Sequence, residues 1–166
     1  MASGDAQIAY VGLGSNLENP GLQIQLALDL LSQHKDIRLQ KISSQYETLP
    51  MGPTEQPNYR NAVVEIETDL DPFALLNALQ QIETEQGRVR GEQRWRSRTL
   101  DLDLLLYGHE ILISEDLVIP HPGLHERSFV LYPLLEIAPE IELPGLGLAK
   151  NYQARVDSLG IKRVLP

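Results

Sequence analysis

The chain alternates between two hydrophobic periods, one of about two residues and one of about 3.6. Ile8 to Leu13 reads as a buried strand running into Gly12-Leu13-Gly14-Ser15-Asn16. After Pro20 and Gly21, the residues Leu22, Leu26 and Leu30, with Ala27 and Leu31, recur at three and four, the spacing of one helix face. Ile37 to Tyr46 reads as a second strand, and the proline-rich stretch Glu47 to Asn58 as a loop. Tyr59 to Thr68 alternates, with Ala62, Val64 and Ile66 on one face and Asn61, Val63 and Glu65 on the other. Asp71-Pro72 suits a helix start, Phe73, Leu76, Leu79 and Ile82 mark that helix's buried face, and Gly87 marks its end. Thr99 to Tyr107 is a strand and Gly108-His109 a turn. Ile111 to Ile119 reads as short strand and loop, and Arg127 to Ile137 as a helix interrupted or re-initiated around Pro133. The residues after Pro144 carry no clear pattern. The order strand, helix, strand, strand, helix, strand is the split βαβ pattern. It predicts an α+β, ferredoxin-like fold, an antiparallel sheet with helices packed on it in three α/β/α layers.

Composition narrows this picture. With 166 residues, 42% apolar and 22% charged, the chain suits one compact domain spanning 1–166. No apolar run is long enough to span a bilayer, and the N-terminus has no secretory pattern. The absence of cysteine excludes disulfides and thiolate metal sites. A cytoplasmic monomer, acting alone rather than fused to another enzyme, is the expectation. The net charge of −9 argues against a general nucleic-acid or membrane-surface binder. Its distribution is uneven. Arg88, Arg90, Arg94, Arg96 and Arg98 fall within eleven residues opposed only by Glu92, so this stretch carries +4 and the remainder −13. An acidic chain with one dense arginine cluster suggests a small, highly charged anion held at one place.

The cluster leads into Leu100-Asp101-Leu102-Asp103-Leu104. On a strand, this alternation puts both carboxylates on one face and the leucines on the other. Two close carboxylates repel unless a cation relieves them. Magnesium is the natural one, because it binds through one or two carboxylates and completes its shell with substrate phosphates. Arginine grips phosphate oxygens in pairs and stays charged. Phosphoryl transfer needs mostly positioning and charge stabilisation, which such a pairing supplies. Each pattern alone is more often structural. Joined within sixteen residues, they point to a metal-bound polyphosphate site. Gly12 to Asn16 lacks the Gly-Lys-Ser/Thr of a P-loop. An RNA-binding ferredoxin-like module is the first rival reading, but the chain lacks an RNP1-like run and is only 5% aromatic. A non-catalytic sensor domain, the second, has no need of an acidic pair beside arginines.

Several motifs then agree in order and spacing. Gly87-Arg88-Val89-Arg90, Arg94-Trp95 and Arg98-Thr99-Leu100-Asp101-Leu102-Asp103-Leu104 resemble the signature of the 6-hydroxymethyl-7,8-dihydropterin pyrophosphokinase family of folate biosynthesis. Gly12 to Leu17, Gly52-Pro53, Gln56-Pro57, Tyr59, Asn61, Pro120-His121-Pro122, Arg127, Phe129 and Glu136 to Pro139 extend the resemblance over about 8–139. The resemblance implies transfer of the β,γ-diphosphate of ATP to the pterin hydroxymethyl group, with release of AMP and two magnesium ions on Asp101 and Asp103. It implies that Arg88 and Arg98 act on the transferring phosphates. Gln80, Glu83, Arg90, Trp95, His121 and Arg127 would bind ATP, with Trp95 closing over the site. Thr48, Met51, Tyr59, Asn61 and Phe129 would bind the pterin, with Tyr59 and Phe129 sandwiching it. Three departures from the family pattern stand out: Leu49 before Pro50, Arg96-Ser97 in place of Gly-Pro, and Gly91 after Arg90.

Overall fold

The computed structural model describes residues 5–15, 19–48, 59–88, 100–156 and 160–164. The expectations for Met51, Arg90, Trp95 and Arg98 lie outside the described residues. So does that for the side chain of Arg88, the last residue of its helix.

Strand β1 (Gln7–Ser15) leads to helix α1 (Pro20–Gln33), then β2 (Ile37–Ile42), β3 (Gln45–Thr48) and β4 (Tyr59–Thr68). Helix α2 (Pro72–Arg88) and β5 (Asp101–Tyr107) follow. The sheet order is β10-β3-β4-β1-β5, with β2 also paired to β4, and every ladder in it is antiparallel. β1 therefore lies between β4 and β5, the ferredoxin-like order expected of a split βαβ pattern.

Register assigns the two faces. Ala9, Val11 and Leu13 of β1 share a face with Ala62, Val64 and Ile66 of β4 and with Leu102 and Leu104 of β5. Helices α1 and α2 cover this face through Ile24, Ala27, Leu28, Leu31, Leu75, Ala78, Leu79 and Ile82. On the other face, Tyr10, Val63, Leu105 and Leu106 meet Leu124, Val130, Leu131 and Leu134. The last three belong to helix α3 (Ser128–Ile137), which completes the third layer. Among the described residues, no helix is long and apolar enough to cross a membrane.

Four readings of the hydrophobic pattern change. In α1 the buried stripe is Gln23, Ile24, Ala27, Leu28 and Leu31, whereas Leu22 and Leu26 are exposed. In α2, Phe73 is exposed and Leu75 and Ala78 are buried instead. The strand predicted over Ile37 to Tyr46 is broken at Ser43-Ser44, and Glu47 and Thr48 belong to β3 rather than to the following loop. Helix α3 runs unbroken through Pro133, whose side chain is buried with Val130, Leu131 and Leu134. Packing of these residues on the sheet offsets the missing backbone donor. The start of α2 is as expected, with the Ala74 N–H donating to Asp71 Oδ1 at 2.9 Å.

Beyond α3 the chain forms two short hairpin strands, β8 (Glu142–Leu143) and β9 (Gly147–Leu148), then a 3₁₀ turn over Ala149–Arg155. Strand β10 (Lys162–Val164) then pairs with β3 at the sheet margin. A smaller hairpin, β6 (Leu112–Ile113) and β7 (Val118–Ile119), follows β5.

Candidate active site

The site grows from β5. Asp101 and Asp103 are exposed while Leu102 and Leu104 are buried, so the carboxylates share the face that carries α3. Their cross-strand partners in β1 are Gly14 and Gly12. The neighbouring strand therefore puts no side chain of its own beside either carboxylate, and the space over the two glycines is taken by the side chains of Asn61 and Leu105. One strand further, Gly14 faces Asn61, which in turn faces Tyr46 of β3. Tyr59, two residues before Asn61, lies on the same face and is 37% exposed. It pairs with Thr48, the last described residue before position 59.

Gly14 has a specific task. A Cβ added there would lie 2.7 Å from Asn61 Oδ1. The Asn61 side chain, itself buried, thus occupies the space that the glycine leaves.

The loop before α3 brings in two more groups. The His121 N–H donates to the carbonyl of Leu105, two residues beyond Asp103, at 3.0 Å, and Ile119-Pro120 is a cis peptide. The imidazole Nδ1 accepts from the Gly123 N–H at 3.1 Å, which leaves Nε2 to carry the proton of the neutral ring. Burial pushes the His121 pKa down. The Asp103 carboxylate opposes this and the Arg127 guanidinium reinforces it. His121 thus lies within electrostatic reach of both Asp103 and Arg127. Gly123 also makes room for that guanidinium, since a Cβ there would lie 2.6 Å from Arg127 Nε. Arg127 is the N-cap residue of α3 and stands 5.9 Å from the ring centroid of Phe129, in the first turn of the helix. Phe129 is half-buried against the α3 core.

Gln80 and Glu83 lie elsewhere. They belong to α2, on the opposite layer, and Gln80 is exposed. Glu83 reaches the open edge of the sheet, where its Oε2 accepts from the Leu102 N–H at 2.7 Å. Leu102 sits between the two aspartates, so Glu83 grips the backbone of the carboxylate strand. The structure thus assembles Tyr59, Asn61, Asp101, Asp103, His121, Arg127 and Phe129 on one face of the sheet, with Glu83 at its edge.

The donor set fits magnesium. Two exposed carboxylates project from one strand on the same face. Among the described residues, no third histidine or acid joins them. An ion held there would keep most of its shell for water or substrate oxygens, as magnesium does.

Sequence reasoning missed four contributors: Gly12 and Gly14 beside the carboxylates, Gly123 as the seat of Arg127, and the backbone bond of Glu83. The glycines had a signal, in that both lie an even number of residues from Tyr10. Their opposition to the aspartates is a matter of register.

Comparison with known proteins gives the class of this molecule. Residues 10–139 match the family model of 7,8-dihydro-6-hydroxymethylpterin-pyrophosphokinase (HPPK). A 2-amino-4-hydroxy-6-hydroxymethyldihydropteridine pyrophosphokinase of Haemophilus influenzae is 54% identical over 136 residues, covering 82% of this chain and 84% of the relative. The Pseudomonas aeruginosa protein of the same name is 49% identical over 138 residues, covering 83% and 85%. Among solved structures, wild-type Plasmodium falciparum HPPK-DHPS with SDX-DHP superposes with a TM-score of 0.74 at 16% identity. That match covers 96% of this chain and 47% of the other, so this chain spans about half of that longer protein. At such identity it speaks for the fold alone. The chain belongs to the 7,8-dihydro-6-hydroxymethylpterin-pyrophosphokinase family. It is accordingly an enzyme, a diphosphotransferase.

Proposed function

We propose that the chain transfers the β,γ-diphosphate of ATP to the hydroxymethyl group of 6-hydroxymethyl-7,8-dihydropterin, and that the Asp101–Asp103 face is where this happens. The observation that carries the reading is the grouping on one face of a carboxylate pair, a neutral histidine and an arginine beside an aromatic and an amide. The first set suits a magnesium polyphosphate and the second a flat heterocycle.

The pterin ring lies between Tyr59 and Phe129, with its polar edge on Asn61 and on backbone groups of Thr48 and Met51. The hydroxymethyl oxygen attacks the β-phosphorus of ATP. A new O–P bond forms as the bond from the β-phosphorus to the α,β-bridging oxygen breaks, and AMP leaves with that oxygen. The hydroxyl proton passes to Asp103 or to water. Asp101 and Asp103 are the residues that hold magnesium, which supplies charge neutralisation and alignment of the phosphates. His121 donates from Nε2–H to a phosphate oxygen, since its Nδ1 is occupied by Gly123. Arg127 adds a fixed positive charge at the N-terminus of α3, an end that itself favours anions. Arg88 and Arg98 stabilise charge in the transition state. Gln80, Glu83, Arg90 and Trp95 belong to the nucleotide side, and the bond of Glu83 to Leu102 gives it a structural duty there as well.

The test is to incubate the protein with ATP, magnesium and the hydroxymethyldihydropterin and to follow AMP. AMP formed only when the pterin is present supports the reading. Folded protein that yields no AMP, or yields it regardless of pterin, counts against it.

A further inference from the structure

Between β2 and β3 the pairing with β4 slips by one residue. Ile42 pairs with Val64 and Tyr46 with Asn61. Four steps along one strand thus span three along the other, which is the signature of a bulge. Ser43 still bonds to Val63, by its N–H at 2.9 Å and its hydroxyl at 2.9 Å, so the extra residue is Ser44. Its N–H turns instead to Glu136, near the C-terminus of α3, at 3.1 Å and 3.0 Å from the two carboxylate oxygens. The same carboxylate accepts from the Ser44 hydroxyl at 3.0 Å and from the Tyr46 hydroxyl at 2.9 Å. Arg163 of β10 closes the network, with Nη2 3.2 Å from Glu136 Oε2 and Nε 2.9 Å from Ser44 Oγ. One carboxylate, 20% exposed, therefore ties together α3, the bulge, β3 and the last strand.

Register gives this knot its consequence. A slip of one residue moves every side chain of a strand to the opposite face. The bulge puts Tyr46 beside Asn61 and Thr48 beside Tyr59. The helix that carries Glu136 at one end carries Arg127 and Phe129 at the other. We infer that Glu136 is a positioning residue for the pterin half of the site: it pins the Ser44 bulge, sets the register of β3 against β4, and fixes that strand to the helix bearing Phe129. This gives β10 a role, since Arg163 braces the same carboxylate from the sheet margin. The inference rests on the proposed function for its substrate, and two of its readouts do not depend on turnover.

Glu136→Gln keeps the size of the side chain but gives up the negative charge and one acceptor oxygen. The expected result is a rise in KM for the pterin on the order of tenfold, the loss of roughly one charge-assisted hydrogen bond, with the KM for ATP and kcat moving far less. Exchange of the Ser44 amide should quicken. The Tyr46 phenol is pushed up to about 12 by burial, then by its bond to Glu136 and that group's charge. In Glu136→Gln its titration should fall back toward the ordinary tyrosine range. Tyr46→Phe, which removes one donor and leaves the carboxylate in place, is the milder variant should Glu136→Gln fail to fold. It should raise the pterin KM by about twofold to fivefold at unchanged kcat. An unchanged pterin KM in a folded Glu136→Gln protein, or in Tyr46→Phe where it is the only folded variant, overturns the inference, as does a loss confined to kcat. A wild-type protein that transfers nothing defeats the proposed function instead. In that event Ser44 exchange and Tyr46 titration still decide whether the carboxylate pins the bulge.

Discussion

Replacing Gly14 with alanine tests the site with a single methyl group. The new Cβ would stand 2.7 Å from Asn61 Oδ1, 3.8 Å from its Cγ and 3.9 Å from the Arg60 carbonyl. Only the amide oxygen is too close. Ordinary carbon–oxygen contact begins near 3.4 Å, so the amide must retreat by about 0.7 Å. It is the end of a short side chain and can swing, so stability should fall by only about 1 kcal/mol, the low end for overpacking. Function is less tolerant. A hydrogen bond of about 2.9 Å stretched by that amount is no longer one, and the partner on a bound heterocycle is left unpaired at a cost of about 1–3 kcal/mol. The KM for the pterin should therefore rise about fivefold to a hundredfold, with the KM for ATP nearly unchanged. The assay is initial-rate AMP formation with pterin varied at saturating ATP and magnesium, accompanied by a thermal melt. The same substitution is then made in an Asn61→Ala background, where no amide remains to be displaced. If Gly14→Ala costs as much there as in the wild type, the collision with Asn61 is not the cause and the reasoning fails.

Other expectations concern the rest of the face. Asp101→Ala and Asp103→Ala should each abolish turnover at nearly unchanged melting temperature, because both side chains are exposed and the strand is anchored by Leu102 and Leu104. Near-normal transfer by either variant contradicts the metal assignment. Glu83→Ala removes the acceptor of the Leu102 N–H and should loosen the edge strand, speeding exchange of that amide and lowering kcat, whereas Glu83→Gln should retain much of both. Equal Leu102 exchange in wild type and Glu83→Ala would show that the bond does not hold the strand. The Tyr46 phenol has its folded pKa raised from 10.0 to about 12. Its protonated form therefore stabilises the fold fully below pH 10, and that contribution is lost as pH rises from 10 toward 12. Unfolding free energies measured across this window should fall more steeply for the wild type than for Tyr46→Phe. Parallel curves would rule the contribution out.

What the sequence disclosed follows its periods. The faces alternate along β4 and along Asp101–Leu104 of β5, and a period of two admits one division into faces, so Ala62, Val64 and Ile66 and the Asp101–Asp103 pair fell where expected. Helix α1 was harder, because two stripes run along it, Leu22, Leu26, Leu30 and Ile24, Ala27, Leu28, Leu31. Both have helical spacing, and only packing on the sheet selects the second. Phe73 misled for a related reason, since it lies in the first turn of α2, where a large apolar residue can remain in solvent. The Ser44 bulge could not be read locally, because the carboxylate that holds it is 92 residues away. The same holds for Gly12 and Gly14, whose importance comes from the strands beside them. Asp101 and Asp103 were legible as chemistry and His121 and Arg127 only through the family resemblance, and their shared face emerged only from register and from the bond between His121 and Leu105.

In the proposed reaction two phosphoryl groups move together from ATP to the pterin on the Asp101–Asp103 face. Mass spectrometry of the products of one incubation with magnesium, run in parallel for the wild type and Asp103→Ala, tests it most directly. The expected result is one pterin diphosphate for each AMP in the wild type and neither product in the variant. A pterin monophosphate accompanied by ADP, or undiminished diphosphate from the variant, would contradict it.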